Sequence, residues 1–267
     1  MLASIVLMLQ PIKDSAIKVS HGESAYVSAL NIIGNLDPDL ERDIHDSTDA
    51  KPLTVSPVWE APRDGNILLL RSDKTYKWRL TGLNEYISKC LLKNYNAIDT
   101  LWIDNATFKV VNVFADNDSD PNAGQSSYMD MLDYWNNIDP PKTFTLKFLS
   151  PTTFRDGNIE KPFPIPELVF GSLINTWNAH SPYELSYSKS DLKDMILLSN
   201  WRGETRSVIL EGQNIPCFTG KFTYQAIENI SEIRRFIGLL SDYAFFAGVG
   251  WQTTRGLGQA QIITTPR

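Results

Sequence analysis

Gly248-Val249-Gly250-Trp251-Gln252-Thr253-Thr254-Arg255-Gly256-Leu257-Gly258 is the stretch whose reading decides the fold of this chain. Its G-x-G-x5-G-x-G spacing sets four glycines around one Trp and one Arg, and glycines so placed let a backbone turn tightly and approach a ligand closely. Upstream, Ile230, Ile233, Ile237, Leu240 and Ala244 return at helical spacing; downstream, residues 259–264 read as a short strand. The loop therefore runs from helix into strand. Phosphate loops of the Rossmann and P-loop kinds run from strand into helix, so that a helix N-terminus meets the anion. Thr253 stands where a third Rossmann glycine belongs, and no Gly precedes Lys and then Ser or Thr as a Walker loop requires. Nucleotide hydrolysis is set aside, which leaves a turn that packs the last strand or a loop that holds a ligand.

Working outward, the second half carries a strand over 143–148, a Pro-studded connection over 151–166, and a helix over 167–179. A further helix begins at Ser190 and Asp191 and runs to 198, and strands over 207–211 and 218–224 lead into the closing helix, loop and strand. The first half reads alike. A strand over 4–10 is followed by a helix over 23–33 and a short helix over 38–45 capped by Asp37. A strand over 53–59 comes next, then 67–70 and 75–80 paired as a hairpin across 71–74. Asn84 caps a helix over 85–94, and strands over 100–103 and 107–114 complete the half. The order strand, helix, strand, strand, helix, strand occurs twice without any repeat of sequence. An α+β fold of two tandem ferredoxin-like (RRM-like) domains with antiparallel sheets is expected, over 1–140 and 141–267. Residues 116–139, rich in Asp, Asn, Gly and Pro, read as a long surface loop or domain joint. The Asp116-x-Asp118-x-Asp120 spacing is that of a calcium loop, but Pro121 and Ser127 replace the Gly and Glu such a loop needs, so solvated carboxylates are expected there.

A chain of 267 residues, 42% hydrophobic, buries a sizeable core. It contains no apolar stretch near the roughly 18 residues of a membrane span, so no membrane partner is expected. Residues 1–9 lack a basic start and a cleavage site, and read as a first strand rather than a signal peptide. The 2 cysteines, Cys90 and Cys217, make neither a disulfide framework nor a zinc cluster, and a reducing cytoplasm is the economical setting. A net charge of −6 argues against coating nucleic acid by bulk electrostatics. From Trp201 onward, however, 7 Lys and Arg face 5 Asp and Glu, which allows a local anion site at that end.

Imidazole chemistry has three candidates, His21, His45 and His180. His45 ends a short helix, and Lys51 follows in a turn that also holds Asp46, Asp49 and Pro52. An imidazole at a helix C-terminus becomes more basic, and a lysine on its flexible stem can swing beside it. An imidazole titrating near neutral pH, with an ammonium to hold phosphate charge, suffices for RNA transesterification, in which the RNA's own 2′-hydroxyl is the nucleophile. The same residues also read as a polar helix end with no task. His21, ahead of Gly22 and a helix, reads as a cap, a surface residue or a second catalytic candidate, and His180 beside Ser181-Pro182 as a loop residue. No metal-ligand set emerges, and no cofactor is expected.

These motifs, taken in order, resemble the CRISPR-associated endoribonucleases of Cas family six, in the repeat-associated RAMP superfamily. The resemblance rests on the glycine-rich tail after a helix, on His21-Gly22, on Asp37-Pro38 to Ile44-His45-Asp46, and on Lys51-Pro52-Leu53-Thr54-Val55-Ser56. It rests also on Ser150-Pro151-Thr152-Thr153-Phe154, on residues 164–171 and on Phe218-Thr219-Gly220. It implies metal-independent cutting of CRISPR repeat RNA into guide RNAs, leaving a 2′,3′-cyclic phosphate and a 5′-hydroxyl, with the product kept and other effector subunits as partners. In members using a Tyr, His and Lys trio, the His and Lys fall on His45 and Lys51, while the Tyr position falls on Leu30. Tyr26, one helical turn away, is the substitute candidate. On this reading backbone amides from Gly248 and Gly250 to Gly256 and Gly258, with Arg255, hold RNA. Arg202, Arg206, Arg234 and Arg235 line a groove, and Trp251 either stacks a base or wedges the loop into the core. A catalytically silent guide-RNA-binding subunit is the rival, favoured by Leu30.

Overall fold

The computed structural model describes residues 1–46, 50–210 and 212–263, and only the backbone of His45, Asp46, Asn94 and Asn96. The chain divides into two units, Met1–Ser126 with Thr254–Gly256, and Ser127–Thr253 with Leu257–Arg267.

The first unit contains β1 (Leu2–Pro11), β2 (Ser15–Lys18), α1 (Gly22–Leu36), α2 (Pro38–Asp46), β3 (Leu53–Val55), β4 (Arg63–Asp64), β5 (Ile67–Leu70), β6 (Tyr76–Gly82), α3 (Glu85–Asn94), β7 (Thr100–Ile103), β8 (Ala106–Phe114) and β9 (Gly124–Ser126). Its main sheet runs β3-β6-β1-β8-β7, all antiparallel, with β9 also on β1. Taking β1, β3, β6 and β8 as the strands of one motif, the spatial order is second, third, first, fourth, which is ferredoxin-like. β1 is central because it is apolar at almost every position and can be buried on both faces. On one face, Ile5, Leu7, Leu9, Trp78 and Leu80 pack with Ala25, Ala29 and Ile33 of α1 and with Ile87 and Leu91 of α3. Truncating one of these leucines to Ala costs about 2–5 kcal/mol.

The other face of β1 and β6 is polar but closed. Arg79 is 1% exposed, and its Nε donates to Ser4 Oγ at 2.7 Å. Burial pushes its guanidinium pKa down to about 9, against the opposing pull of Asp120. Asp120 is itself buried, 3.0 Å from Lys77 Nζ; burial raises its pKa, but the Asn122 backbone bond and Lys77 outweigh this and hold it low. Asp116 accepts from the Ser119 amide at 2.9 Å. Asp116 and Asp118 stand exposed as expected, whereas Asp120 is drawn inside because it has a cation and an amide within reach.

The hairpin expected between 67–70 and 75–80 does not form. β5 pairs with β2 and β4 in a separate small sheet, while β6 pairs with β1 and β3. Its alternating exposure, with Leu68 and Leu70 inside, suits a small covering sheet, whereas β6 is buried along most of its length and belongs in the main one.

The second unit contains α4 (Tyr128–Asn137), β10 (Thr143–Thr152), β11 (Phe154–Asp156), β12 (Ile159–Lys161), α5 (Pro166–His180), α6 (Lys189–Met195), β13 (Ile196–Leu210), β14 (Gln213–Ala226), α7 (Ser231–Ala247) and β15 (Ala260–Ile263). Its sheet order, β13-β14-β10-β15, is again second, third, first, fourth. The protein is thus an α+β chain of two tandem ferredoxin-like folds with antiparallel sheets.

Two expectations about this half fail for identifiable reasons. Residues 116–139 are not all loop, since Ser127 caps α4 by accepting from the Asp130 amide at 3.0 Å, and Tyr128, Met131 and Trp135 bury one side of the helix. Trp135 lies over Gly238 of α7 and donates to Asp242 at 3.2 Å. This packing assigns α4 to the second unit, so the division falls at 126/127 where 140/141 was expected. The helix expected to reach 198 stops at Met195, and β13 then runs for 15 residues in register with β14. Its exposed, polar edge shows little of the alternation that marks a half-buried strand.

Candidate nucleic-acid site

Asp37 caps α2 as expected, accepting from the Leu40 amide at 3.1 Å. Lys51 Nζ donates to the carbonyl oxygen of Ile44 at 2.6 Å, so its ammonium sits on the last turn of α2 beside the residue that follows, His45. The side chains of His45 and Asp46, and all of Asp49, lie outside the described residues. The last carbonyls of an α-helix have no partner within the helix and carry a partial negative charge, which attracts a cation.

His21 has a different fate. It is buried, its Nδ1 lies 2.8 Å from the Lys18 carbonyl, and its Nε2 accepts from the Val58 amide at 2.9 Å. That pair of partners fixes one neutral tautomer, with the proton on Nδ1. Burial lowers its pKa, outweighing the raising effects of the Lys18 bond and the Asp104 charge. With both ring nitrogens engaged, His21 is a structural histidine and neither a surface residue nor a proton carrier.

Leu30 is buried in the first unit's core, and Tyr26, four residues earlier on α1, is half-buried. Burial raises the Tyr26 pKa, with Arg255 lowering it and Glu41 raising it. Arg255 reaches this neighbourhood because Thr254–Gly256 belong to the first unit. A Cβ at Gly22 would stand 1.9 Å from the Arg255 carbonyl oxygen, and one at Gly256 (φ +85°) would stand 3.2 Å from the Pro57 nitrogen. Gly22 is therefore the residue that admits the loop tip, which accounts for the His21-Gly22 pair.

The flanks of the glycine loop pack within the second unit. Val249 N donates to Gly258 O at 2.8 Å, Trp251 N to Thr153 O at 2.8 Å, Gly258 N to Pro151 O at 3.0 Å, and Gly250 N to Ser172 Oγ at 3.1 Å. Gly248 N continues the helix bond to Ala244 O. These amides are engaged inside the fold, so the expectation that amides throughout 248–258 hold phosphate is corrected. The glycines serve positive φ and close approach: at Gly250 (φ +90°) a Cβ would lie 2.4 Å from Thr153 O. The Ser150–Phe154 motif is thus the receptor for the loop.

Trp251 is half-buried against the cluster of Leu210, Ile215, Cys217 and Leu257, and the Arg155 guanidinium lies 4.7 Å from its ring centroid. It wedges the loop, with a cation over its ring. Arg234 and Arg235 are half-buried and engaged within the second unit. Arg234 donates to Pro140 O at 2.6 Å and Arg235 to Ile138 O at 3.4 Å, tying α7 to the carbonyls just after α4. Arg202 and Arg206 stand exposed on β13, Arg206 bonded through Nε to Glu204 at 2.7 Å. The reading of sequence missed Lys147 and Lys221, exposed beside Arg202; the polar alternation Thr143, Thr145, Lys147 was the available signal.

Comparison with known proteins accords with this geometry. The family model described as CRISPR-associated endoribonuclease Cas6 matches residues 146–260. A CRISPR-associated endoribonuclease Cas6 from Streptococcus thermophilus is 25% identical over 135 residues, 49% of this chain. The chain spans about half that relative's length, 55%. A solved Cas6 product complex superposes with a TM-score of 0.80 at 25% identity, covering 98% of this chain and 99% of that one. A Thermus thermophilus Cas6 superposes with a TM-score of 0.75 at 23% identity, covering 98% of each chain. No helix among the described residues is long and apolar enough to cross a membrane. With the motif match in its second unit and a whole-chain backbone of the same topology, this chain is similar to the CRISPR-associated endoribonucleases Cas6 and shares their fold.

Proposed function

We propose that this chain is an endoribonuclease that processes CRISPR repeat RNA into guide RNAs. His45 takes the proton from the 2′-hydroxyl, whose oxygen attacks phosphorus as the bond to the 5′-oxygen breaks; Lys51 stabilises charge on the phosphorane, and Tyr26, as substitute for the family's Tyr, gives a proton to the departing 5′-oxygen, leaving a 2′,3′-cyclic phosphate and a 5′-hydroxyl without a metal. One observation carries the reading: Lys51 Nζ lies 2.6 Å from the Ile44 carbonyl, one residue before His45, which brings the ammonium to the turn that bears the imidazole. Arg255, coupled electrostatically to Tyr26, adds a cation to the same unit. Arg202 and Arg206 contribute to RNA binding, and the cut product stays bound for delivery to other effector subunits.

A second reading, a silent RNA-binding subunit, is favoured by one observation: Leu30, at the family's Tyr position, is buried in the core and offers no proton. Incubation of the protein with its cognate repeat RNA in excess chelator separates the two. Fragments ending in cyclic phosphate are expected, and RNA left whole would establish the silent subunit. His45→Ala should abolish cutting while RNA still binds; undiminished cutting would remove His45 from the chemistry.

A further inference from the structure

We propose that the open face of the second unit's sheet is a nucleic-acid contact in which Lys147 and Lys221 join Arg202 to bind the phosphodiester backbone of unpaired RNA. This rests on the reading that the chain handles repeat RNA. Strand register carries it: Lys147 of β10 is directly opposite Lys221 of β14, and Lys221 is directly opposite Arg202 of β13. Side chains in register across antiparallel strands share one face, with Cβ atoms roughly 5 Å apart, and like charges so placed repel. All three are exposed, and among the described residues none forms an ion pair. Glu204, the carboxylate of the same face, is taken by Arg206. The fold thus maintains a line of three cations outside any ion pair, with Glu204 at its border engaged by Arg206.

The surroundings favour RNA over an acidic protein partner. Thr145 and Thr223, hydrogen-bonded to each other at 2.9 Å, and Asn200 lie in the next row of that face, and Gln261 extends the cation row on β15. These are neutral hydrogen-bonding groups suited to ribose and base edges, whereas a protein interface needs an apolar centre. A depression of about 480 Å³ lies over the backbone of Gly203 and Gly220, lined by the three cations, Thr219, Phe148 and the Glu204 that Arg206 engages. It is large enough for a nucleotide to settle against the sheet.

The experiment compares the protein with a variant carrying Lys147→Gln, Lys221→Gln and Arg202→Gln, titrating cognate repeat RNA and an unrelated unstructured RNA oligonucleotide across salt. Each phosphate contact on a single strand contributes about 0.7 to the slope of log affinity against log salt, so a loss of about 2 in slope is expected for both RNAs. The thermal midpoint should hold or rise, since mutual repulsion is removed. An unchanged slope in the variant, while the parent binds and cuts repeat RNA, overturns this proposal alone. Failure of the parent to bind either RNA overturns it together with the reading on which it rests. Lost capture of a polyglutamate peptide with RNA affinity intact reassigns the face to an acidic protein, and a lowered midpoint shows the row to be a structural feature; either result overturns it.

Discussion

Lys51 serves the fold and the proposed chemistry through one ammonium group. Its bond to Ile44 O satisfies a terminal carbonyl of α2, and the same position faces the turn of His45. Lys51→Ala should therefore do two things: lower single-turnover cleavage by about 100-fold or more, and reduce stability by about 0.5–1 kcal/mol through the lost helix-end charge. Urea unfolding alongside cleavage assays separates these losses, and Lys51→Arg should recover more of the second than of the first, since a guanidinium keeps the charge but not the compact geometry. His21 makes a prediction of opposite character. Its folded pKa lies below the ordinary 6.5, so the unfolded chain takes up the proton more readily. The stabilisation it gives is complete above about pH 6.5 and is lost as pH falls from there through the lower folded value. Urea midpoints should decline below pH 6.5, and His21→Gln should flatten that part of the curve; equal slopes in the two proteins would show that another group is responsible.

Elements show why the sequence revealed some of this structure and hid the rest. α7 and the glycine loop were legible because the helix has apolar residues at helical spacing and the loop has glycines where φ is positive. α4 was hidden by its Asp and Asn content, although Ser127 and the Tyr128, Met131, Trp135 spacing formed a capped amphipathic turn. Only the end of β13 and the middle of β14 were legible, as strands over 207–211 and 218–224; the first part of β13 was hidden because an edge strand exposed on both sides has no apolar alternation. The Lys51 bond depends on how α2 ends, and so lay beyond spacing alone. Within the α4 and α7 pair, Asp242 receives the Trp135 indole N–H, yet burial raises its pKa more than that bond lowers it. A buried carboxyl of this kind opposes folding as pH rises above its unfolded value near 3.8. Asp242→Asn keeps an acceptor for Trp135 without the charge, and should raise the thermal midpoint at pH 7 more than at pH 4.5. A midpoint lowered at both values would assign the carboxylate a partner role that the indole alone does not explain.

At the scale of the whole molecule, the two cysteines report on the two units separately. Cys90 lies on α3 of the first unit and Cys217 on β14 of the second, and both are buried. Burial raises both thiols, that of Cys217 to about 12, so neither is a reactive thiolate in the folded protein. Labelling by a thiol reagent across a urea series should modify each cysteine only as its own unit opens, read by mass spectrometry of the peptides. Coincident labelling curves would show one cooperative transition, and separated curves two. The chain path gives that comparison particular interest. Thr254–Gly256 complete the first unit, yet they are made more than a hundred residues after Ser126. During synthesis the amino-terminal fold therefore emerges with a notch at Gly22 and Pro57, closed only when the last part of the chain returns to it. A chain shortened before residue 254 would therefore lack the segment that sits against Gly22 and Pro57, and should unfold its first unit at lower urea than the full chain does.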